Sequence, residues 1–200
     1  HDGIRQLLIG VVLVNLAFSG MQSNFAVYSD RRFGFTTVDN AFVFVAVGVV
    51  AVIMQGFLLR MLVPKFGEAR LAMVGLAVMA IGFEGLALAP TGIWLYPAIL
   101  ILGVGSGMAT PSLTSLISRR VDAQSQGVTL GGSQALTSLT TVVGPLLAGF
   151  LSDVVQVTAP YHVGALFVVS ATVVAFVVLR AAFAAPVTAP ATTTTAGAMG

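Results

Sequence analysis

The side chains of this sequence that are able to do chemistry are amides and hydroxyls set singly into long apolar runs. Asn15, Ser19 and Gln22 recur at intervals of four and three residues, which places them on one face of a helix. Such groups bind solutes by hydrogen bonding, and they also join neighbouring helices, because an amide that faces lipid has no partner. This face is therefore expected to line a water-filled cavity or to bond to another helix, and the spacing leaves both alternatives open.

Three later apolar runs carry isolated polar residues as well. A glutamine lies in the second run, and a serine and a threonine share a face of the fourth. Further polar residues lie along one face of the fifth run. Hydroxyls in membrane helices often bond to their own backbone, which is the alternative to a role in binding. The residues predicted to line a path for a solute are Asn15, Ser19, Gln22, Gln55, Ser106, Thr110, Gln134, Thr137 and Thr141.

Glu84 is the one carboxylate predicted at membrane depth. Acidic residues inside membranes often carry protons or bind cations, so Glu84 is a candidate for proton coupling. It lies six residues before Pro90, however, and a side chain so near the end of a span is able to reach the interface with water. We interpret Glu84 and His162 as interfacial residues, and keep proton coupling by Glu84 as the alternative.

The composition excludes several classes of protein. Hydrophobic residues make up 57% of the 200 residues and charged residues only 8%, with a mean hydropathy of +1.00, which is typical of an integral membrane protein. The chain has no cysteine and two histidines, so we expect neither a metal site nor a cofactor. No arrangement of catalytic triad, paired carboxylates or His-Glu-x-x-His predicts an enzyme, and so few charges make nucleic acid an unsuitable partner.

Six apolar runs are long enough to cross a bilayer, and they predict an all-α membrane protein. Thr36 and Asp39 form the pattern of a capping box before the second run. Glycines at 103, 105 and 107 are expected to allow close helix packing, and Gly127, Gly131 and Ala135 predict a second packing face. The predicted spans are 7–28, 41–59, 71–89, 93–117, 128–151 and 163–183, within a transmembrane domain of 1–183 that precedes a disordered cytoplasmic tail, 184–200.

The distribution of cations predicts the orientation of the chain. Seven lie on one side of the predicted spans and two, Arg31 and Arg32, on the other, which places both termini in the cytoplasm. The stretch 60–70 is interpreted as a basic cytoplasmic loop. The residues predicted to anchor this side are Arg60, Lys65, Arg70, Arg119 and Arg120.

The stretch from Ser118 to Gly149 reads SRRVDAQSQG, then GGSQALTSLTTVVGPLLAG. It resembles the connection between the tenth and eleventh helices of the major facilitator superfamily, within the drug:H+ antiporters related to the tetracycline exporters. The resemblance implies the C-terminal half of such a transporter, built of two inverted three-helix repeats in a cell membrane, most simply a bacterial inner membrane. The family's coupling histidine has Ala51 at its matching position, four residues before Gln55, so that route of proton coupling is not expected here.

Pro111, Gly144 and Pro145 are candidates for gating or helix bending, because proline restricts the backbone and glycine has no side chain. Pro145 withholds one amide and frees the carbonyl of Thr141, with several hydroxyls within reach in the preceding turn.

Two functional hypotheses follow from these features. In the first, the chain is half of a proton-coupled secondary transporter that exchanges a small organic solute for protons across a lipid bilayer, together with an N-terminal half or a second copy. In the second, it is a non-transporting assembly subunit whose polar faces only hold helices together. Polar faces that converge on one cavity would favour transport, and faces buried against one another would favour assembly.

Overall fold

The computed structural model of the chain describes residues 2–121 and 126–184, and this part is helical apart from short connections. The predicted tail, 184–200, lies outside the described residues except for its first position. The helical elements are α1 (Asp2–Phe33), α2 (Thr37–Ile53), a π-helical turn (Met54–Leu58), α3 (Leu59–Phe66), α4 (Glu68–Ala87), a 3₁₀ turn (Gly92–Trp94), α5 (Leu95–Ser118), α6 (Gln126–Val154) and α7 (Ala159–Ala184).

Within the described residues, six helical stretches of 20–31 residues are long and apolar enough to cross a membrane, which confirms the predicted all-α fold of six spans. A helix of 20 residues is about 30 Å long, the thickness of the hydrocarbon core. Several helices extend beyond the predicted spans, because backbone hydrogen bonding continues where the apolar run has already ended.

The predicted basic loop at 60–70 is wrong. The second span continues as one helical stretch to Phe66, and the chain reverses at Gly67, whose φ of +76° suits a residue without a Cβ. The side chains of the five predicted anchors are exposed at this end of the molecule. Arg60, Lys65 and Arg70 lie on helices, and Arg119 and Arg120 lie in the turn that follows α5. Lys65 lies in the last turn of α3, where a cation also stabilises the free carbonyls of the helix end.

The π-helical turn interrupts the second span at Gln55, the polar residue in the apolar part of that span. The amide of Leu59 bonds to the carbonyl of Met54, and the turn includes Gln55 and Gly56. One extra residue per turn changes the direction in which later side chains point, so α3 presents a different face from α2. The sequence did not indicate this turn, because hydropathy is insensitive to a shift of one residue.

The packing of the helices divides the six spans into two related groups of three. In the first group (α1, α2 with α3, and α4) the leading helix packs on α6 and α7, and in the second (α5, α6, α7) the leading helix packs on α2 and α4. The last helices of the groups, α4 and α7, pack on each other. Because each group crosses the membrane three times, the second begins on the opposite side, which is the arrangement expected of inverted repeats.

Glycines set the closest helix crossings. A Cβ on Gly105 would lie 2.5 Å from the backbone nitrogen of Met79 and 2.7 Å from the carbonyl oxygen of Gly75, so the predicted close packing is confirmed there. The packing face predicted on α6 has no contact with another helix at its glycines, within the residues that the structure describes. A Cβ on Gly127 or Gly131 would meet nothing within 4 Å in the described part of the chain.

The ends of the helices lie in two layers, which we call the basic face and the opposite face. On the basic face, which holds the α3–α4 turn and the end of α5, Arg119 pairs with Glu68 at 2.9 Å. On the opposite face, Arg31 pairs with Asp153 at 2.8 Å. Arg32 donates to the carbonyls of Ala87 and Ala89 at the end of α4, at 3.1 Å each. Arg31 and Arg32, the two cations on the opposite face, therefore have partners at the ends of neighbouring helices.

The predicted capping box is confirmed at the start of α2, since Thr36 and Asp39 exchange hydrogen bonds between their side chains and each other's backbone amides.

Candidate solute-binding cavities

A cavity of about 320 Å³ lies where α1, α2, α4 and α5 meet, and we call it the first cavity. Its polar side chains come from three different spans. Asn15 is on α1, Gln55 is on the π-helical turn, and Ser106 and Thr110 are on α5. The rest of the lining is apolar or glycine: Val14, Phe18, Val47, Ala51, Met79, Gly103 and Gly107.

A second cavity of about 430 Å³ lies between α1 and α6. Asn15 and Phe18 line both cavities, so the two adjoin along α1. Its remaining lining residues are Ser19, Gln22, Ser23, Thr141 and Pro145. The predicted path residues that line one or both cavities are Asn15, Ser19, Gln22, Gln55, Ser106, Thr110 and Thr141.

Two predicted path residues lie elsewhere. Gln134 is exposed on α6 and lines neither cavity. Thr137 is half-buried, and its carbonyl accepts the hydroxyl of Thr140 at 2.6 Å. Both residues lie on α6 within two turns of Thr141, but of these three residues only Thr141 lines one of the two cavities.

The hydrogen bonds of the cavity residues run within their own helices. Asn15 donates through Nδ2 to the carbonyl of Val11 at 2.8 Å, and Ser106 and Thr141 donate to carbonyls three residues earlier. Among the described residues, no bond joins one polar stripe to another, and the amide groups of Gln22 and Gln55 bond to no protein atom. The acceptor oxygens and these two amides are therefore directed to the cavities rather than used between helices.

The candidate gating residues occupy uninterrupted helices. α5 continues through Pro111 and α6 through Pro145. Gly144 forms the crossing of α6 with α1, since a Cβ there would lie 2.9 Å from the backbone nitrogen of Gly20. The hydroxyls expected near the freed carbonyl of Thr141 are used otherwise, because those of Ser138 and Thr140 donate to carbonyls of the preceding turn.

Glu84 and His162 form a pair that the sequence did not predict. The Nδ1 atom of His162 lies 3.1 Å from Oε2 and 3.4 Å from Oε1 of Glu84. Both side chains are about two-fifths exposed, and neither lines the first or the second cavity. The residues are 78 positions apart, so no local pattern signals their contact.

Two further residues, Phe18 and Glu68, were not predicted from the sequence. Phe18 lies three residues after Asn15, a helical spacing that places it on the same face and gives a usable signal. The side chain of Glu68 is only 11% exposed; it accepts a hydrogen bond from Ser115 at 2.7 Å and forms an ion pair with Arg119 at 2.9 Å. Its partners are 47 and more residues distant, which hides the interaction from any local reading.

The chain is similar to known membrane proteins in sequence. The family model "Major Facilitator Superfamily" matches residues 3–134. Tetracycline resistance protein, class G, of Vibrio anguillarum is 31% identical over 144 residues, which are 72% of this chain and 36% of that protein. Multidrug resistance protein 2 of Bacillus subtilis is 31% identical over 147 residues, again 72% and 36%. The chain spans about a third of the length of these relatives.

Solved structures show the same fold at lower identity. The human organic anion transporter MFSD10 (TETRAN) superposes with a TM-score of 0.81 at 18% identity, over 87% of this chain and 41% of that one. The POT family transporter PepTSo superposes with a TM-score of 0.73 at 15% identity, over 90% and 37%. At these identities the likeness concerns the fold, which is half of the six-plus-six-helix arrangement.

Proposed function

Because the chain belongs to the Major Facilitator Superfamily, we propose that it is the C-terminal six-helix half of a proton-coupled secondary transporter that exports a drug or another small amphiphile. Its solute would be exchanged for protons by alternating access, in which two halves rock about a site between them. The names of the relatives, tetracycline resistance and multidrug resistance proteins, support this class of solute.

The observation that carries the proposal is the convergence of polar residues from four spans on two adjoining cavities. Asn15 and Gln55 offer amides to a solute, while Phe18 and Val47 offer apolar surface. A mostly apolar site with a few convergent polar groups is typical of small-molecule pockets. Polar faces that served only to join helices would bond across to each other, and those of the described residues bond within their own helices.

The low burial of two helices supports the proposal that a further protein partner packs against this chain. Of an apolar stretch of 18 residues in each span, only 11% is buried in the second span and 22% in α6. The corresponding share is 50% in the span that includes α5. Among the described residues, the glycine face on α6 has no neighbour at Gly127 or Gly131. A matching N-terminal half would cover these helices and close the cavities, and a second copy of the chain is the alternative partner.

We place the basic face in the cytoplasm, with both termini there, in a bacterial inner membrane. The excess of arginine and lysine at this face supports the orientation. Glu84 remains the sequence-based candidate for proton coupling, although its position outside both cavities weakens that role.

Reconstitution with and without a matching N-terminal half tests the proposal. Liposomes that contain the chain alone should show no proton-driven accumulation of a fluorescent dye, and liposomes that contain both halves should accumulate it. Robust uptake by a strict monomer would refute the half-transporter proposal. Two halves that assemble but do not transport would favour the alternative, a non-transporting assembly subunit.

Two glutamines of this chain provide a matched pair of variants. In the two-half protein, Gln55→Ala should change the preference among substrates because its amide lines the first cavity, while Gln134→Ala should leave the preference unchanged. Equal losses for all substrates that follow a lower protein level would instead assign Gln55 to helix packing.

A further inference from the structure

A groove of about 700 Å³ runs between α4 and α7, on a part of the molecule that the proposed transport path does not use. We call it the α4–α7 groove. Its lining is apolar or glycine except for the pair Glu84 and His162, and the other residues are Ala80, Ile81, Gly85, Leu88, Ala165, Leu166 and Val169. A carboxylate–imidazole pair beside a long apolar surface requires an explanation, because a charged group there costs free energy unless it has a partner.

The polar pair lies toward the opposite-face end of the groove, with Leu88 one turn beyond Glu84 on α4. Glu84 is three residues before the end of α4, and His162 is the fourth residue of α7. At the rise of a helix these positions are about 5 Å from the helix ends. Since both ends belong to the opposite face, the pair lies near the boundary between headgroups and hydrocarbon.

The surroundings of the groove indicate lipid as its neighbour. Ile81, Leu88 and Leu166 are each more than three-fifths exposed along its sides. No residue that lines the first or second cavity comes from α7. Helices α4 and α7 pack on each other along the groove, and α4 contributes only Met79 to the first cavity. In a membrane this surface would contact acyl chains.

The chemistry of the pair selects the headgroup. A carboxylate has about four acceptor sites. The single atom Nδ1 of His162 lies 3.1 Å from Oε2 and 3.4 Å from Oε1 of Glu84, so it takes at most one site on each oxygen. The remaining sites are open to the groove, since the side chain is 43% exposed. A primary ammonium donates hydrogen bonds to a carboxylate, and such charge-assisted bonds are strong. A trimethylammonium group has the same charge but no hydrogen to donate.

We propose that the α4–α7 groove binds a phosphatidylethanolamine lipid from the leaflet of the opposite face. One acyl chain lies along the apolar wall of Ile81, Leu166 and Val169, and the primary ammonium binds the carboxylate of Glu84. His162 is a positioning residue, which holds that carboxylate toward the groove. The inference does not depend on transport by the chain.

Site-directed fluorescence quenching tests the proposal in the full chain. The chain has one tryptophan, so Trp94→Phe with Leu166→Trp places a single indole in the groove. The bilayers contain equal amounts of phosphatidylethanolamine and phosphatidylcholine, with one or the other dibrominated as the quencher. We expect the relative binding constant at this position to favour phosphatidylethanolamine about fivefold, the scale of one partly exposed charge pair.

Matched variants separate the groove from general effects of lipid packing. Glu84→Gln keeps the shape of the side chain and should abolish the preference, while Asp153→Asn removes a carboxylate of the same face outside the groove and should retain it. An indole introduced by Val177→Trp, toward the other end of α7, should show no preference. The proposal is overturned by equal quenching at Leu166→Trp, or by a preference that survives Glu84→Gln.

Two further outcomes would assign the groove to another occupant. Loss of quenching by both lipids when an N-terminal half is present would show that protein covers it. Complete displacement of the brominated lipid by a low concentration of a long-chain primary amine would show that it takes a soluble amphiphile. Either result refutes the lipid site.

Discussion

The crossing of α4 and α5 makes the most quantitative prediction of this structure. In Gly105→Ala, the new methyl would lie 2.5 Å from the backbone nitrogen of Met79 and 2.7 Å from the carbonyl oxygen of Gly75. An ordinary contact begins at 3.4 Å, so the two helices must separate by about 0.9 Å, the difference between 3.4 and 2.5 Å. Both neighbours are backbone atoms, which are unable to move away by changing a rotamer.

The free energy of unfolding should fall by about 1–3 kcal/mol, the usual cost of one excess methyl in a packed core. Separation of the helices also removes contacts on either side of the crossing, so the upper part of this range is expected. For a domain of this size, the loss corresponds to a decrease in Tm of about 3–10 °C.

Thermal denaturation followed by size-exclusion chromatography measures the effect. The control is Gly48→Ala on α2, where the added methyl meets no atom of the described residues within 4 Å. Alanine is the better helix former, so this variant should be as stable as the parent or slightly more so. A Tm of Gly105→Ala equal to that of Gly48→Ala would refute the close crossing.

Three further predictions follow from particular contacts. In chemical denaturation, Arg119→Ala should lower the free energy of unfolding by about 1–2 kcal/mol, because Glu68 is 11% exposed and loses its counter-ion. Arg31→Ala should lower it by less than about 1 kcal/mol, because both Arg31 and Asp153 are exposed. A larger loss in Arg31→Ala would contradict this ranking. Single cysteines at Gly67 and Thr91 should react with an impermeant maleimide from opposite sides of the membrane, Gly67 from the cytoplasm, and labelling from one side would contradict the six-span topology. In a complete transporter, Phe18→Ala joins the first and second cavities and should improve the transport of larger substrates relative to smaller ones, which competition assays would detect. An unchanged ranking would mean that Phe18 does not separate the cavities.

Residues whose partners lie within one helical turn were predictable from the sequence. Thr36 and Asp39 satisfy the first amides of α2 from three positions apart, and Asn15, Ser19 and Gln22 share a face because the helix repeats every 3.6 residues. Hydrophobic length determined the six spans, since the chain must satisfy its backbone inside lipid. The continuation of α3 past Arg60 was missed, because a helix is able to leave the hydrocarbon without ending.

Tertiary packing alone decided which polar faces meet. Gln55 reaches Asn15 and Thr110 around the first cavity because α2 and α1 pack beside α5, while Gln134, with an equally suitable sequence context, is left outside. Glu84 and His162 meet because the third helix of each repeat packs on the other. Sequence specifies the face of a helix through local periodicity, but the neighbour of that face depends on contacts between residues far apart in the chain, whose geometry is set by the glycine crossings of the assembled bundle.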